Sequence, residues 1–289
     1  MNPRTEVAFR RAYDDLIALW TTAPESRDVE TPSARTRVQV WGREGAPPLV
    51  LLHGFKVTSG MWAANALELG KSFRVYAVDT PGDHGFSVPH RPLLRVEDLL
   101  GWLDELLTAL GLPRTNLGGM SYGGWLAAQY AARAPERVSK LVMLAPGATF
   151  VRFNTAFVLR GIPFLIWPRR DWVHTYLRWA AVPAAEAGGP YDAVMSGIAD
   201  VMWTGLRHFG WYPGQWPGVV KEEVLRRIHA PTLLLVGQQE KIYDAEPMLA
   251  RARSLLPNLT CEAIPEASHD LPIRQPEVVA ARLRAFLDT

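Results

Sequence analysis

The stretch Gly118-Gly119-Met120-Ser121-Tyr122-Gly123-Gly124 is the most informative part of this sequence, because it places a serine between glycines two positions before and after it. An apolar run at 115–117 predicts a strand before it, and an Ala- and Leu-rich run at 125–132 predicts a helix after it. The Gly-x-Ser-x-Gly spacing also arises by chance in loops, so this strand–turn–helix context carries the prediction. We expect a strained turn, too tight for side chains at the flanking glycines, that presents the Ser121 hydroxyl beside helix amides.

The composition is that of a folded globular protein of 289 residues, long enough for one large domain or a domain with an insertion. Hydrophobic residues make up 48% of the chain and charged residues 21%, which excludes a disordered protein. A net charge of +2 gives no reason to expect nucleic acid or an anionic membrane as a partner. The single cysteine, Cys261, cannot form an internal disulfide, and we expect a small buried residue in a strand.

The sequence contains no pattern typical of export or membrane insertion. The first six residues lack the apolar core of a signal peptide, and no apolar run approaches the length of a transmembrane helix. We therefore predict a cytoplasmic protein without a membrane span.

Short apolar runs alternate with helical patterns along most of the chain, which predicts a mostly parallel central sheet with helices on both faces. In such sheets, functional side chains lie at the carboxyl ends of the strands, where His53, Asp79 and Ser121 fall. Strands are predicted at 37–41, 49–52, 73–78, 115–117, 140–144, 231–236 and 259–264, and helices at 5–20, 61–69, 96–110, 125–132, 247–256 and 276–287.

Residues 150–220 interrupt this alternation and predict an inserted helical cap, so that 1–149 and 221–289 form the core. The segment has several prolines and no repeat of short strands. We expect most of its aromatic side chains to pack the cap against the core and some to line an apolar pocket above the strand ends. Its histidines, His174 and His208, are not expected to be catalytic. It holds six of the eleven tryptophans: Trp167, Trp172, Trp179, Trp203, Trp211 and Trp216.

A serine nucleophile needs a base and an acid, and the sequence offers both after the cap. His269 falls in a loop between the last predicted strand and the last predicted helix, from which an imidazole could reach Ser121. Residues 145–148 contain no carboxylate, whereas Glu240 comes three residues after Gly237 at the end of the next strand. Asp244 is the alternative acid, further from the strand end, and the side chain of the adjacent Asp270 is expected to point elsewhere. The order serine, acid, histidine predicts a Ser121–His269–Glu240 triad.

The loop His53-Gly54-Phe55 follows the strand at 49–52 and predicts half of an oxyanion hole. The backbone amides of Phe55 and Tyr122 would hold the negative charge of a tetrahedral intermediate. His53 is predicted to be structural, because His269 fits the role of base better. The adjacent pair Asp83 and His84 could suggest a metal, but without a third ligand we predict a loop-shaping role, and neither metal nor cofactor.

Taken together, these motifs resemble the α/β-hydrolase family over nearly the whole chain, and more narrowly the bacterial carboxylesterases of the Bacillus naproxen-esterase type. The resemblance implies an α/β-hydrolase fold and a glutamate as the triad acid, which supports Glu240. It rests on Leu51-Leu52-His53-Gly54-Phe55, the stretch around Ser121, Ser268-His269, Tyr13-Asp14-Asp15, Leu19-Trp20, Tyr76-Ala77-Val78-Asp79, Gly82-Asp83, Val201-Met202-Trp203 and Gly237-Gln238-Gln239-Glu240-Lys241-Ile242-Tyr243-Asp244.

The sequence thus predicts a serine hydrolase that cleaves small apolar carboxylic esters through an acyl-serine intermediate. A serine at the elbow argues against dehalogenases and epoxide hydrolases of this fold, which need a carboxylate nucleophile. Two alternatives stay open: a hydrolase of a carbon–carbon, lactone or amide bond with the same triad, and a non-catalytic ligand receptor.

Overall fold

A single sheet runs through the centre of the computed structural model, which describes residues 3–181, 189–210 and 215–288. In these ranges its strands follow the order β1-β2-β4-β3-β6-β7-β8-β9, with β5 beside β2, once they are numbered along the chain. They are β1 (Glu25–Glu30), β2 (Ala34–Trp41), β3 (Pro48–Leu52), β4 (Arg74–Val78), β5 (Val88–Pro89), β6 (Thr115–Met120), β7 (Val138–Leu144), β8 (Thr232–Gly237) and β9 (Leu259–Ile264).

Helices cover both faces of this sheet. Short 3₁₀ helices also occur at Ser59–Asn65 and Pro135–Arg137. The α-helices are α1 (Pro3–Ile17), α2 (Ala66–Gly70), α3 (Val96–Ala109), α4 (Tyr122–Arg133), α5 (Thr155–Ile166), α6 (Arg170–Ala180), α7 (Pro190–Phe209), α8 (Glu222–Leu225), α9 (Ala245–Leu255), α10 (Leu271–Arg274) and α11 (Pro276–Leu287).

The strands from β4 across β3 to β9 are parallel, and β3 and β8 are buried on both faces as their apolar sequences predict, whereas the edge strand β9 is only partly buried. In β3, Val50 and Leu52 join a core with α3, α4 and α9, whereas Leu49 and Leu51 join a second core with α1, α2 and α11. Successive side chains of a strand point to opposite faces, so a run apolar at every position needs helices on both sides. The predicted α/β fold is confirmed.

The first strand was not predicted, because its sequence is polar. β1 pairs with β2 antiparallel at the edge of the sheet, and Glu25 and Ser26 on it are exposed. An edge strand with solvent on one face gives no apolar run to detect. The helix predicted at 61–69 also differs: it begins as the 3₁₀ helix Ser59–Asn65 and becomes α-helical only at Ala66.

Between β7 and β8 lie α5, α6 and α7, so the described part of the predicted cap is helical. α7 also packs against α1, and a Cβ built on Gly197 would lie 2.9 Å from a methyl carbon of Leu16. Trp167 and Trp172 are exposed and do not pack the cap against the core, whereas the ring of Trp216, although 43% exposed, packs edge-to-face on that of Phe55 at 5.2 Å between centroids. Trp211 lies outside the described residues. Among the helices of the described ranges, none combines the length and apolar character needed to cross a bilayer.

Candidate active site

Ser121 lies in the tight turn between β6 and α4, with φ 53° and ψ −112°. Its backbone is fixed on both sides, since its amide donates to the Leu144 carbonyl (2.9 Å) and its carbonyl accepts from the Gly147 amide (3.0 Å). A Cβ on Gly119 would lie 2.2 Å from the Gly123 carbonyl carbon, and one on Gly123 only 2.3 Å from the Leu52 oxygen. Such contacts do not occur in proteins, so this turn requires glycine at both flanking positions.

The structure brings His269 and Glu240 to Ser121 in one line of hydrogen bonds. His269 Nε2 lies 2.9 Å from Ser121 Oγ, and His269 Nδ1 lies 3.0 Å from Glu240 Oε2. The Glu240 side chain is fully buried, and its second oxygen, Oε1, accepts from the amides of Lys241 (2.9 Å) and Ile242 (3.0 Å). Glu240, the predicted acid, is therefore held rigidly against the imidazole, whereas Asp244 precedes α9 as its N-cap residue.

Topology explains why these groups meet. β4 and β6 lie on opposite sides of β3, so the order in which successive strands are added to the sheet switches from one side of β3 to the other. The carboxyl ends of β3 and β6 are neighbours, with Leu52 paired to Gly119. A crevice forms where neighbouring connections leave to opposite sides of a parallel sheet. The loops that carry Phe55 and Ser121 both leave the sheet at this crevice.

Phe55 and Tyr122 lie close to each other. Their rings are 5.8 Å apart between centroids. Tyr122 is the first residue of α4, and the first amides of a helix have no acceptor within the helix. Phe55 belongs to the loop after β3 and lines the cavity in front of Ser121.

His53 is fully buried and bonded to backbone groups through both ring nitrogens. Its Nδ1 donates to the Gly54 carbonyl (2.7 Å), and its Nε2 accepts from the Thr80 amide (2.9 Å). These partners make the ring neutral and tie the Phe55 loop to the loop after β4. The geometry agrees with the structural role predicted for His53.

Asp83 and His84 brace the same loop from the other side. Asp83 Oδ2 accepts from the Lys56 amide (3.0 Å), and Oδ1 lies 3.4 Å from the Lys56 ammonium. His84 Nδ1 donates to the Lys56 carbonyl (3.0 Å). Asp83 and His84 therefore shape this loop through contacts with protein groups. Within the described residues no three His, Cys, Asp or Glu side chains cluster. No pattern in the sequence indicates that Lys56 is buried, and its backbone is strained at φ 59°.

Burial controls the charges of this brace. Desolvation lowers the pKa of His84 to about 3, so the ring is neutral at physiological pH. Desolvation alone would raise the pKa of Asp83, but the Lys56 ammonium, the neighbouring His53 and His84, and the hydrogen bond from the Lys56 amide together outweigh it and hold that pKa below its ordinary value. The Asp83 carboxylate is therefore charged and paired.

A cavity of about 190 Å³ opens in front of Ser121 and His269. Its walls are mainly apolar and come from the core, from α5, α6 and α7, and from Trp216. Methionines are flexible and fill irregular space, so such a wall can adapt to ligands of different shape. Four of the seven methionines contribute to it: Met61, Met120, Met195 and Met202.

Asp270 is a polar residue in the cavity wall, a position that the sequence did not predict. Its carboxyl is buried and accepts a 2.6 Å hydrogen bond from the Tyr191 hydroxyl on α7, together with a longer one from the Ser268 amide (3.3 Å). Desolvation raises the pKa of Asp270 although both hydrogen bonds act against the shift. Tyr191 is distant in sequence, so no local pattern could reveal this link.

Two further hydrogen bonds join the loops of the site to the helices above them. Lys241, next to Glu240, donates from Nζ to the Ala181 carbonyl (2.8 Å). Ser268, next to His269, donates from Oγ to the Ala180 carbonyl (2.8 Å). The end of α6 therefore contacts both the acid loop and the histidine loop.

Residues 47–276 match the family model described as the alpha/beta hydrolase fold. The chain belongs to the α/β-hydrolase family. This match agrees with the sheet order and with the serine turn, and it includes every residue of the line from Ser121 to Glu240.

Similar proteins of this family cover nearly the whole chain. The uncharacterized carboxylesterase nap of Bacillus subtilis strain 168 is 32% identical over 98% of this chain and 93% of that protein. The carboxylesterase YbfK of the same strain is 31% identical over 96% and 93%. The crystal structure of naproxen esterase from Bacillus subtilis superposes with a TM-score of 0.87 at 31% identity, over 99% of each chain. These findings confirm the resemblance to α/β-hydrolases of the naproxen-esterase type.

Proposed function

We propose that this α/β-hydrolase is a carboxylic ester hydrolase in which Ser121 is the nucleophile, His269 the base and Glu240 the acid. The observation that carries the proposal is the 2.9 Å contact between His269 Nε2 and Ser121 Oγ, backed by the buried Glu240 carboxylate. The carboxylesterase relatives, similar along nearly their whole length, support the bond class.

Glu240 sets the state of the imidazole. A carboxylate can only accept hydrogen bonds, so His269 Nδ1 carries the proton and Nε2 is left as a bare base facing the serine hydroxyl. When Ser121 attacks an ester carbonyl, Nε2 takes the hydroxyl proton and the imidazolium is stabilised by Glu240. The same proton then passes to the departing alcohol, and an acyl-serine remains.

The oxyanion of the tetrahedral intermediate needs donors beside the serine. The amides of Phe55 and Tyr122 fit this role, because the first follows β3 and the second begins α4. Water then attacks the acyl-serine, with His269 again acting as base. Each step uses groups of the chain, substrate and water.

The cavity favours a small apolar ester. Its wall is lined by aliphatic, aromatic and methionine side chains, so apolar acyl or alcohol groups gain by leaving water. Residues 150–220 act in this proposal as a cap that bounds the cavity, with Ile162, Leu177 and Met202 contributed by its three helices.

Hydrolysis of p-nitrophenyl esters tests the proposal. We expect Ser121→Ala to lower kcat by about 10⁴-fold or more while the circular dichroism spectrum stays unchanged. Glu240→Ala should lower kcat far more than the matched control Asp244→Ala. kcat/KM should fall as the pH is lowered, because a protonated imidazole cannot accept the serine proton. Full activity of Ser121→Ala would refute the nucleophile, and the reverse ranking of the acids would refute Glu240.

The same panel separates the alternative functions. Amides, lactones and a vinylogous diketone are offered beside the esters, because one triad can serve all these bonds. A Ser121-dependent rate on the diketone that exceeds every ester rate would replace the ester hydrolase by a carbon–carbon hydrolase. Tight binding of apolar ligands with no turnover would indicate a receptor.

A further inference from the structure

Helix α5 exposes an apolar stripe to solvent. Val158, Ile162 and Ile166 are spaced four residues apart and therefore share one side of the helix, with Leu159 beside them. Leu159 is 60% exposed, Ile166 75% and the neighbouring Trp167 70%. Contiguous exposed apolar side chains on a monomer mark an interaction surface. We call Val158, Leu159, Ile162, Ile166, Trp167 and Trp172 the α5 face.

The α5 face is continuous with the active-site cavity. Val158 and Ile162 belong to both, because each lines the cavity and is more than 40% exposed. A molecule that is in contact with the α5 face therefore has an apolar route toward Ser121 without crossing water.

The charge around the α5 face is positive although the whole chain is nearly neutral. Residues 150–172 include four arginines and one carboxylate, that of Asp171. Arg170 is compensated by a bidentate pair with Asp200 (2.6 and 2.8 Å). Arg152, Arg160 and Arg169 are exposed, and the last two lie over the rings of Trp179 and Trp172 at 5.0 and 5.4 Å. The net charge of +2 for the whole chain therefore does not reveal the positive charge around the α5 face.

We propose that the α5 face docks this protein onto the surface of an anionic phospholipid bilayer. Apolar side chains with exposed tryptophans among arginines fit the boundary between acyl chains and negative headgroups. A second copy of the chain fits less well, since a two-fold contact through this face would bring the arginines of both copies together. Docking would turn the cavity mouth toward the lipid, and, if the proposed function holds, esters dissolved in the membrane would enter directly.

Vesicle sedimentation tests the proposal, with the Ser121→Ala protein used so that turnover plays no part. We expect binding to vesicles of phosphatidylcholine mixed with phosphatidylglycerol, weaker binding to phosphatidylcholine alone, and loss of binding as salt is added. Arg152→Gln and Arg169→Gln should each weaken binding about five-fold. Leu159→Asp and Ile166→Asp should abolish it, and the matched control Leu94→Asp, at an exposed leucine far from α5 in sequence, should not.

Catalysis in solution serves as the fold control, because neither Leu159 nor Ile166 lines the cavity. Leu159→Asp and Ile166→Asp in the otherwise unchanged enzyme should hydrolyse a short p-nitrophenyl ester at the original rate. Absence of vesicle binding, or binding that both Asp variants retain, would overturn the proposal. A dimer in analytical ultracentrifugation that Leu159→Asp dissociates, without vesicle binding, would assign the face to a second copy. Failure of ester turnover with intact vesicle binding would refute the proposed function alone.

Discussion

Replacement of Asp83 by asparagine tests how the loop that carries Phe55 is held in place. Asp83 Oδ1 accepts from the His84 amide (2.8 Å) and faces the Lys56 ammonium (3.4 Å), while Oδ2 accepts from the Lys56 amide (3.0 Å). Asparagine has one oxygen, so its NH₂ group must face a donor, and the buried ammonium loses this carboxylate. The Asp83 and Lys56 side chains are 6% and 2% exposed. Loss of one partner of such a pair costs about 3–5 kcal/mol.

The Asp83→Asn substitution should also slow catalysis, because Lys56 directly follows Phe55. The strained φ of 59° at Lys56 persists only while its surroundings hold it. A shift of the Phe55 amide by about 1 Å would cost on the order of 10²-fold in kcat, with a smaller change in KM. A double variant, Asp83→Asn with Lys56→Met, removes the buried charge and should regain most of the stability but not the kcat.

Urea unfolding at pH 7 and ester kinetics measure these two effects separately. The pKa of Asp83 is lowered in the folded protein, so its stabilisation is complete above about pH 4 and is lost as the pH falls through the folded-state pKa. Asp83→Asn should abolish that part of the acid sensitivity. A loss of less than about 1 kcal/mol at pH 7, the value typical of an exposed pair, would show that Asp83 and Lys56 do not stabilise the fold as a buried ion pair.

Three further predictions concern the turn, a buried histidine and the wall of the cavity. Gly123→Ala places a Cβ 2.3 Å from the Leu52 oxygen, so we expect either insoluble protein or a loss of at least about 3 kcal/mol in urea unfolding; wild-type stability would contradict this. His84 stays neutral in the folded protein down to about pH 3, whereas an unfolded histidine binds a proton below about pH 6.5. The free energy of unfolding should therefore fall by up to about 2 kcal/mol between pH 6.5 and pH 5. The same decrease should be smaller in the His84→Gln variant. Tyr191→Phe removes the donor to Asp270 and should lower the free energy of unfolding by about 1–3 kcal/mol at pH 7. The loss should be smaller at pH 4, where more of the Asp270 carboxyl is protonated. An equal loss at both pH values would show that the hydrogen bond is not responsible.

The parallel core and the serine turn can be predicted from the amino-acid sequence alone. Runs such as 49–52 and 233–236 are apolar at every position, which only a strand covered on both faces can accommodate. The glycines around Ser121 are required because a side chain at those positions would clash in any turn of this kind. In the structure, neither Gly119 nor Gly123 has room for a Cβ. These features are local, so neighbouring residues suffice to predict them. β1 was not predicted, because a polar edge strand forms through pairing with its neighbour β2 and shows no apolar pattern of its own.

Which distant groups come into contact depends on the fold as a whole. Glu240 and Asp244 both follow the same strand, and the choice between them depends on which loop conformation places a carboxylate against His269 at 3.0 Å. The Lys56–Asp83 pair joins positions 27 residues apart, and Tyr191 reaches Asp270 from a helix inserted between strands. The exposure of the α5 face has the same origin. An apolar helix is buried or left in water according to what packs against it, and that depends on long-range contacts that no local spacing records.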